Sequence, residues 1–137
     1  MADPRPTTDL PGKDPTIRVI PMPADANHTG DIFGGWIMAQ VDLAGAVPAM
    51  RVAKGRVATV AVNSFAFKQP VFVGDIVSFY AEVLRVGRTS ITVSVEVYAQ
   101  HRMASETAVK VTEAVLTYVA VDENRKPRVV SAQDGRA

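Results

Sequence analysis

GGWIMAQVDLAGAVPAMRVA, residues 34–53, is the one stretch of this chain that reads as a long helix. It is rich in Ala, Met and Leu, lacks a strict period of two, and stops before Gly55, a C-terminal stop signal. Asp31 stands where a capping carboxylate would help the N-terminus. Pro48 predicts a kink, because its ring clashes with the carbonyl four residues back. At 1.5 Å per residue the helix would span about 30 Å, the width of a small domain.

Downstream the period changes to two. Ile91, Val93, Val95, Val97 and Ala99 alternate with Ser90, Thr92, Ser94, Glu96, Tyr98 and Gln100. Val77, Phe79, Ala81 and Val83 alternate with Ser78, Tyr80 and Glu82, and Gly87 marks the turn between these two strands. Residues 57–67 and 105–121, rich in Val, Thr and aromatics, supply two more strands, and residues 16–20 a short one. The expected class is α+β, an antiparallel five-stranded sheet wrapped around one long central helix. One helix cannot cover both faces of such a sheet, and an edge would be left unpaired. Pairing of identical subunits answers both, so a homo-oligomer built on a two-fold dimer is expected.

Upstream, six of the nine prolines fall within residues 1–23. Proline blocks helix and removes a backbone donor, so residues 1–15 are expected to form a disordered tail. The folded domain then covers residues 16–130, with residues 131–137 a flexible C-terminal tail.

Composition removes several chemistries. The 137 residues carry 15 Lys+Arg against 14 Asp+Glu, leaving no basic stripe for a nucleic acid. The absence of cysteine excludes disulfides, thiolate nucleophiles and Cys-based metal sites. Two histidines, His28 and His101, are too few for a His-rich metal centre. No apolar run approaches the ~18–20 residues that span a bilayer, and there is no signal-peptide core. A cytoplasmic protein without a metal, a membrane span or a nucleic-acid partner is expected.

The most unusual local sequence is residues 27–36, NHTGDIFGGW. Gly34 and Gly35 at a helix start leave backbone amides uncovered, a place for a negative oxygen backed by the helix dipole. In acyl transfer that oxygen would be a carbonyl becoming an oxyanion. The alternative is that the glycines only allow close packing of helix on sheet. Asp42 shares a helix face with Met38, Gly45, Ala46 and Ala49, and no Lys or Arg stands three or four residues away. A carboxylate buried in such surroundings is a base or nucleophile candidate; the alternative is an Asp facing solvent through a gap. Gly35 and Asp42 lie two turns apart, about 10 Å. That is too far to grip one carbonyl within a helix, but antiparallel helices across a dimer axis could bring the two together. Lys54, Arg56, Lys68, Arg85 and Arg88 could meet phosphates, although scattered basic residues commonly mark a solvated face. His28, His101, Asp75 and Glu113 read as surface, turn or paired positions.

Several stretches, in order and with matching spacing, resemble the YciA-type acyl-CoA thioesterases of the hotdog fold. They are MPADANHTGDIFGGWIMAQVD (22–42), AKGRVATVAV (53–62), PVFVGD (70–75), GRTSITVSVEV (87–97) and TEAVLTYVAVDENRKPR (112–128). The resemblance implies hydrolysis of acyl-CoA to a free acid and CoA, with no cofactor beyond the coenzyme A of the substrate. It also implies a dimer with a continuous sheet and a trimer of such dimers. Position by position, it puts the catalytic acid on Asp42, the loop amide on Asn27, the carbonyl-polarising amide on Gly35 and a strand hydroxyl on Thr59. Gly34, Lys68, Arg88, Thr89 and Ser90 form the expected CoA-binding set. Thr29 departs from relatives that carry Asn there. A hotdog hydratase or dehydratase, or a non-catalytic acyl-CoA sensor, remains as an alternative.

Overall fold

The computed structural model describes residues 3–101 and 107–130. Its elements are β1 (Ile17–Val19), a 3-10 turn at Pro23–Asp25, α1 (Gly34–Ala53), β2 (Val57–Phe67), β3 (Asp75–Val86), β4 (Ser90–His101) and β5 (Val109–Ala120). The strands form one antiparallel sheet in the order β1-β3-β4-β5-β2, with α1 on one face. This is the α+β wrap expected above.

The period-two reading of β4 holds. Ile91, Val93, Val95 and Val97 are fully buried and face the helix side of the core, while their neighbours are half-exposed or covered otherwise. Opposite them α1 buries Ile37, Val41, Ala44, Gly45, Ala49 and Ala53, a stripe at three- and four-residue spacing. Small residues in that stripe let the helix lie close to the sheet. Gly45 is the tightest point, since a Cβ there would collide with the Tyr118 hydroxyl.

α1 has the bounds expected, Gly34–Ala53, but its caps differ from the sequence expectation. Phe33 is the N-cap residue and no side chain caps the helix, so Asp31 does not serve there. Asp31 instead forms an isolated bridge with Phe72, spending its backbone on the neighbouring loop. At the other end Lys54, not Gly55, takes the left-handed conformation, with φ 54°. Gly55 has a different use. Arg128 Nη2 lies 2.8 Å from where a Gly55 Cβ would sit, and donates to the Ala53 carbonyl at 2.7 Å. A cation thus meets the negative end of the helix. The helix runs unbroken through Pro48.

The proline-rich start is not a loose tail where it is described. Residues 3–13 run along the sheet on the Tyr80–Tyr98 face, and Asp14 and Pro15 come beside Val47, Pro48 and Arg51 of α1. Thr8 and Ala108 exchange two backbone bonds, of 2.7 and 2.8 Å, and Leu10 packs on Tyr80, Tyr98 and Ala108. Arg5 is 4% exposed and pairs with the fully buried Asp75 at 2.8 Å. Proline forbids helix but not an extended segment whose other residues carry the bonds, which is what happens here. This strap covers part of the face that the sequence reading assigned wholly to another subunit. Residues 1–2 and the expected C-terminal tail, 131–137, lie outside the described residues.

β2 ends the sheet on the opposite side. Nine of its eleven residues are exposed, Val60 at 57% and Val62 at 47%, and its pairing with β5 is interrupted by two register shifts. An apolar, unpaired edge of this length invites another strand.

Candidate active site

Asp42 sits midway along α1, half-exposed in the single chain, facing β2. Thr59 of β2 donates its hydroxyl to Asp42 Oδ1 at 2.6 Å, so the structure joins two of the four expected catalytic residues. Tyr118 of β5 donates to the Asp42 backbone carbonyl at 2.8 Å. Burial, then the nearby Asp42 carboxylate, push the Tyr118 hydroxyl well above its ordinary range and keep it a donor. Sequence reasoning missed Tyr118. Its one signal is Gly45, a residue without a side chain in a helix that must pass a large ring.

The head of the helix is a second centre. Gly34 and Gly35 occupy the first two helical positions, where amides have no intrahelical acceptor. Gly35 is exposed and a Cβ there would meet nothing within 4 Å, whereas one on Gly34 would press on the Phe67 ring at 3.1 Å. Close packing therefore explains Gly34, whereas no packing constraint is seen at Gly35. Beside it a cleft of about 390 Å³ is lined by Asn27, Gly34, Ile37, Phe67, Lys68 and Val71, among others. Its lining mixes apolar Ile32, Ile37, Phe67 and Val71 with polar Asn27, Asp31, Lys68 and Gln69.

Asn27 is oriented by its own loop. Its side-chain oxygen accepts from the Thr29 amide (2.9 Å), the Thr29 hydroxyl (2.7 Å) and the Asp31 amide (3.2 Å). Two fixed backbone donors settle which end is oxygen, and its NH₂ group is left free to donate. Thr29, the departure from relatives, serves here as one of the groups holding Asn27.

Other candidates lie elsewhere. Lys68 reaches the cleft rim but also pairs with Glu113 at 3.1 Å, and Lys110 pairs with Glu113 at 2.6 Å. Hydrogen bonds from Lys110 and Lys68 hold the Glu113 carboxyl below its ordinary value. Arg88, Thr89 and Ser90 form the β3–β4 turn, closed by Gly87 N–H on Ser90 O at 2.7 Å. That turn is tied to Ala120 and Val130, beside the C-terminal end of α1, and so lies at the opposite end of the helix from the cleft. One chain does not bring these two sets together. His28 is exposed on its loop. His101 is the strand-end residue expected, partly exposed, with its Nδ1 2.7 Å from Asp75 Oδ1. Among the described residues no cluster of three or more His, Cys, Asp or Glu could hold a metal, and no helix is long and apolar enough to cross a membrane.

Residues 29–106 match the thioesterase superfamily family model. This chain belongs to that superfamily. Its YciA-type affinity is equally direct: the acyl-CoA thioester hydrolase YciA of Escherichia coli is 45% identical over 130 residues, 93% of this chain and 98% of that one. Among solved structures, a hexameric thioesterase from Yersinia pestis is 48% identical with a TM-score of 0.81, over 88% of this chain and 97% of that one. A hexameric hotdog fold thioesterase of Campylobacter jejuni is 45% identical with a TM-score of 0.82, over 90% and 95%. Membership in the superfamily accounts for the wrap of sheet around helix.

Proposed function

We propose that this thioesterase-superfamily protein hydrolyses acyl-CoA thioesters to a free carboxylic acid and coenzyme A. The observation that carries the proposal is Asp42, held by the Thr59 hydroxyl at 2.6 Å on a helix whose head carries the exposed Gly35. The acyl-CoA hydrolase activity named for the Escherichia coli relative supports it.

The site is completed by two chains. β2 of one protomer pairs with β2 of another, bringing two α1 helices antiparallel. The Gly35 amide of one then faces Asp42 of the other, and the Arg88–Ser90 turn of one approaches the cleft of the other. Hexameric relatives support a trimer of such dimers. The thioester carbonyl oxygen rests on the Gly35 amide, and the Asn27 NH₂ group positions the carbonyl or the water. Asp42 takes a proton from water as the water oxygen adds to the carbonyl carbon, and the carbon–sulfur bond then breaks to give the free acid. Alternatively Asp42 attacks the carbon itself, the carbon–sulfur bond breaks to leave a mixed anhydride, and water hydrolyses the anhydride to the free acid and restores the carboxylate. In either route the departing thiolate of coenzyme A is protonated. Lys68, Gly34, Arg88, Thr89 and Ser90 face the coenzyme A portion. Water, a carboxylate and oriented amides suffice for this chemistry, so no cofactor is invoked, and we place the protein in the cytoplasm with its acyl-CoA substrates.

A hotdog hydratase would need a histidine near the acid. His101 is engaged by Asp75, and His28, exposed beside Asn27, makes no hydrogen bond to Asp42 of its own chain; loss of enoyl-thioester hydration in His28→Ala would favour that reading. The test is thiol release from a panel of acyl-CoA chain lengths. Asp42→Ala should lose about 10²–10⁴ in turnover while keeping its fold, the usual worth of general-base help. Turnover equal to wild type in Asp42→Ala removes Asp42 from the mechanism. Binding of acyl-CoA without thiol release by the wild type makes the protein a sensor instead.

A further inference from the structure

We propose that Arg5 is a positioning residue for the cleft at the helix head, acting through the Pro70–Asp75 turn. Its activity readout rests on the hydrolase function proposed above; its structural readout does not.

Arg5 reaches the turn at three points. Its Nη1 donates to the Pro70 carbonyl at 2.8 Å and to Asp75 Oδ2 at 2.8 Å, and its guanidinium lies over the Phe72 ring, 4.4 Å from the centroid. On its other edge Nε and Nη2 bond the Asp3 carboxylate at 2.9 and 2.6 Å. Asp75 is fully buried, and besides Arg5 it accepts from the Phe72 amide at 2.9 Å and contacts His101 at 2.7 Å. A planar fork that serves two carboxylates, a carbonyl and a ring at once is a task for arginine.

The turn in its turn holds the Asn27 loop. Ile32 N–H donates to the Val71 carbonyl at 2.8 Å, Val73 N–H to the Gly30 carbonyl at 3.4 Å, and Phe72 bridges Asp31. Pro70 and Val71 themselves line the cleft, together with Asn27 and Gly34. The guanidinium therefore fixes the segment against which the site's loop is registered, although it touches neither Asn27 nor the helix head. A strap serving stability alone would need the Asp75 pair; the bond to the Pro70 carbonyl reaches a residue that lines the cleft, and the stack holds Phe72, which bridges Asp31 of the loop.

Full-length Arg5→Ala and Arg5→Lys decide the matter, with butyryl-CoA as substrate and hydrogen exchange as the second readout. Misplacing a site by an ångström costs up to about 100-fold, so KM in Arg5→Ala should rise about tenfold while circular dichroism stays native. Amide exchange should quicken in residues 27–34 and 70–75 while β4 and β5 keep their protection. Arg5→Lys should fall between, and millimolar methylguanidinium should lower the KM of Arg5→Ala. An unchanged KM, with kcat falling only as the folded fraction falls, overturns the proposal, as does a uniform rise in exchange. Should Arg5→Ala not fold, Arg5→Lys decides by the same two readouts. A wild type that releases no thiol sinks the hydrolase function, and the exchange pattern still judges Arg5.

Discussion

Asp42 was legible in the sequence because helix spacing exposes what surrounds a residue: small and apolar neighbours, and no cation within a turn. Its partners were not. Thr59 came only through resemblance to a family, and Tyr118 lies 76 positions away, beyond any local pattern. The pairing of Gly45 with Tyr118 makes a direct test of how the helix that carries Asp42 is seated. A Cβ at Gly45 collides with the Tyr118 hydroxyl, so Gly45→Ala should destabilise by about 1–3 kcal/mol, the usual range for overpacking. Tyr118→Phe alone should lose about 1 kcal/mol with its bond to the Asp42 carbonyl. Urea denaturation of the two single variants and the double should give a non-additive sum, because removing the hydroxyl relieves the clash. At the same scale, Thr59→Val should lower kcat by about tenfold with little change in stability, since the lost bond is to a partly exposed carboxylate. Steady-state thiol release measures it.

Among the elements, the strands and the helix declared themselves through period and length, and the strap did not. Six prolines within 23 residues argue against helix and sheet interior, and that argument holds; it says nothing about an extended segment tied down by an arginine and a threonine between the prolines. What tied it down, a buried carboxylate 70 positions away, has no local signature. The strap carries its own pH signal. Hydrogen bonding from Arg5, ahead of the opposing effect of burial, lowers the Asp3 carboxyl from 3.8 to about 2. A depressed carboxyl contributes stability that is complete above its unfolded value and disappears as pH falls through its folded one. The stability gap between wild type and Asp3→Asn should therefore be constant above pH 5 and shrink as pH drops from 3.8 towards 2. Urea midpoints across that range measure it, and a gap that widens on acidification contradicts the assignment.

For the whole molecule, the deciding fact is that the chain separates its own candidate residues. Gly35 and the cleft lie at one end of α1, the Arg88–Ser90 turn at the other, and Asp42 between them beside an exposed apolar strand. Sequence alone anticipated only the separation of Gly35 from Asp42, because seven helical residues put them about 10 Å apart; it gave no sign that the Arg88–Ser90 turn lies at the other end of the helix. A site composed across a two-fold axis has a consequence that a site within one chain lacks. On the proposed mechanism Gly35→Pro removes the amide assigned to the carbonyl oxygen, in the first turn of the helix, and Asp42→Asn removes the proposed base; each homodimer should be inactive. In a mixed dimer both lesions fall on the same site, since each site takes its glycine from one chain and its acid from the other. The second site is then intact. Random 1:1 exchange makes half the dimers mixed, each with one working site of two, so about a quarter of wild-type activity should return. Denaturing the two variants together, refolding, and assaying thiol release gives the number. Val60→Lys, placed on the exposed β2 edge, should abolish the recovery by keeping the chains apart, as light scattering will register. Recovery at zero, with mixed dimers present by mass spectrometry, would place glycine and acid in the same chain, and the helix spacing would then forbid them from sharing one carbonyl.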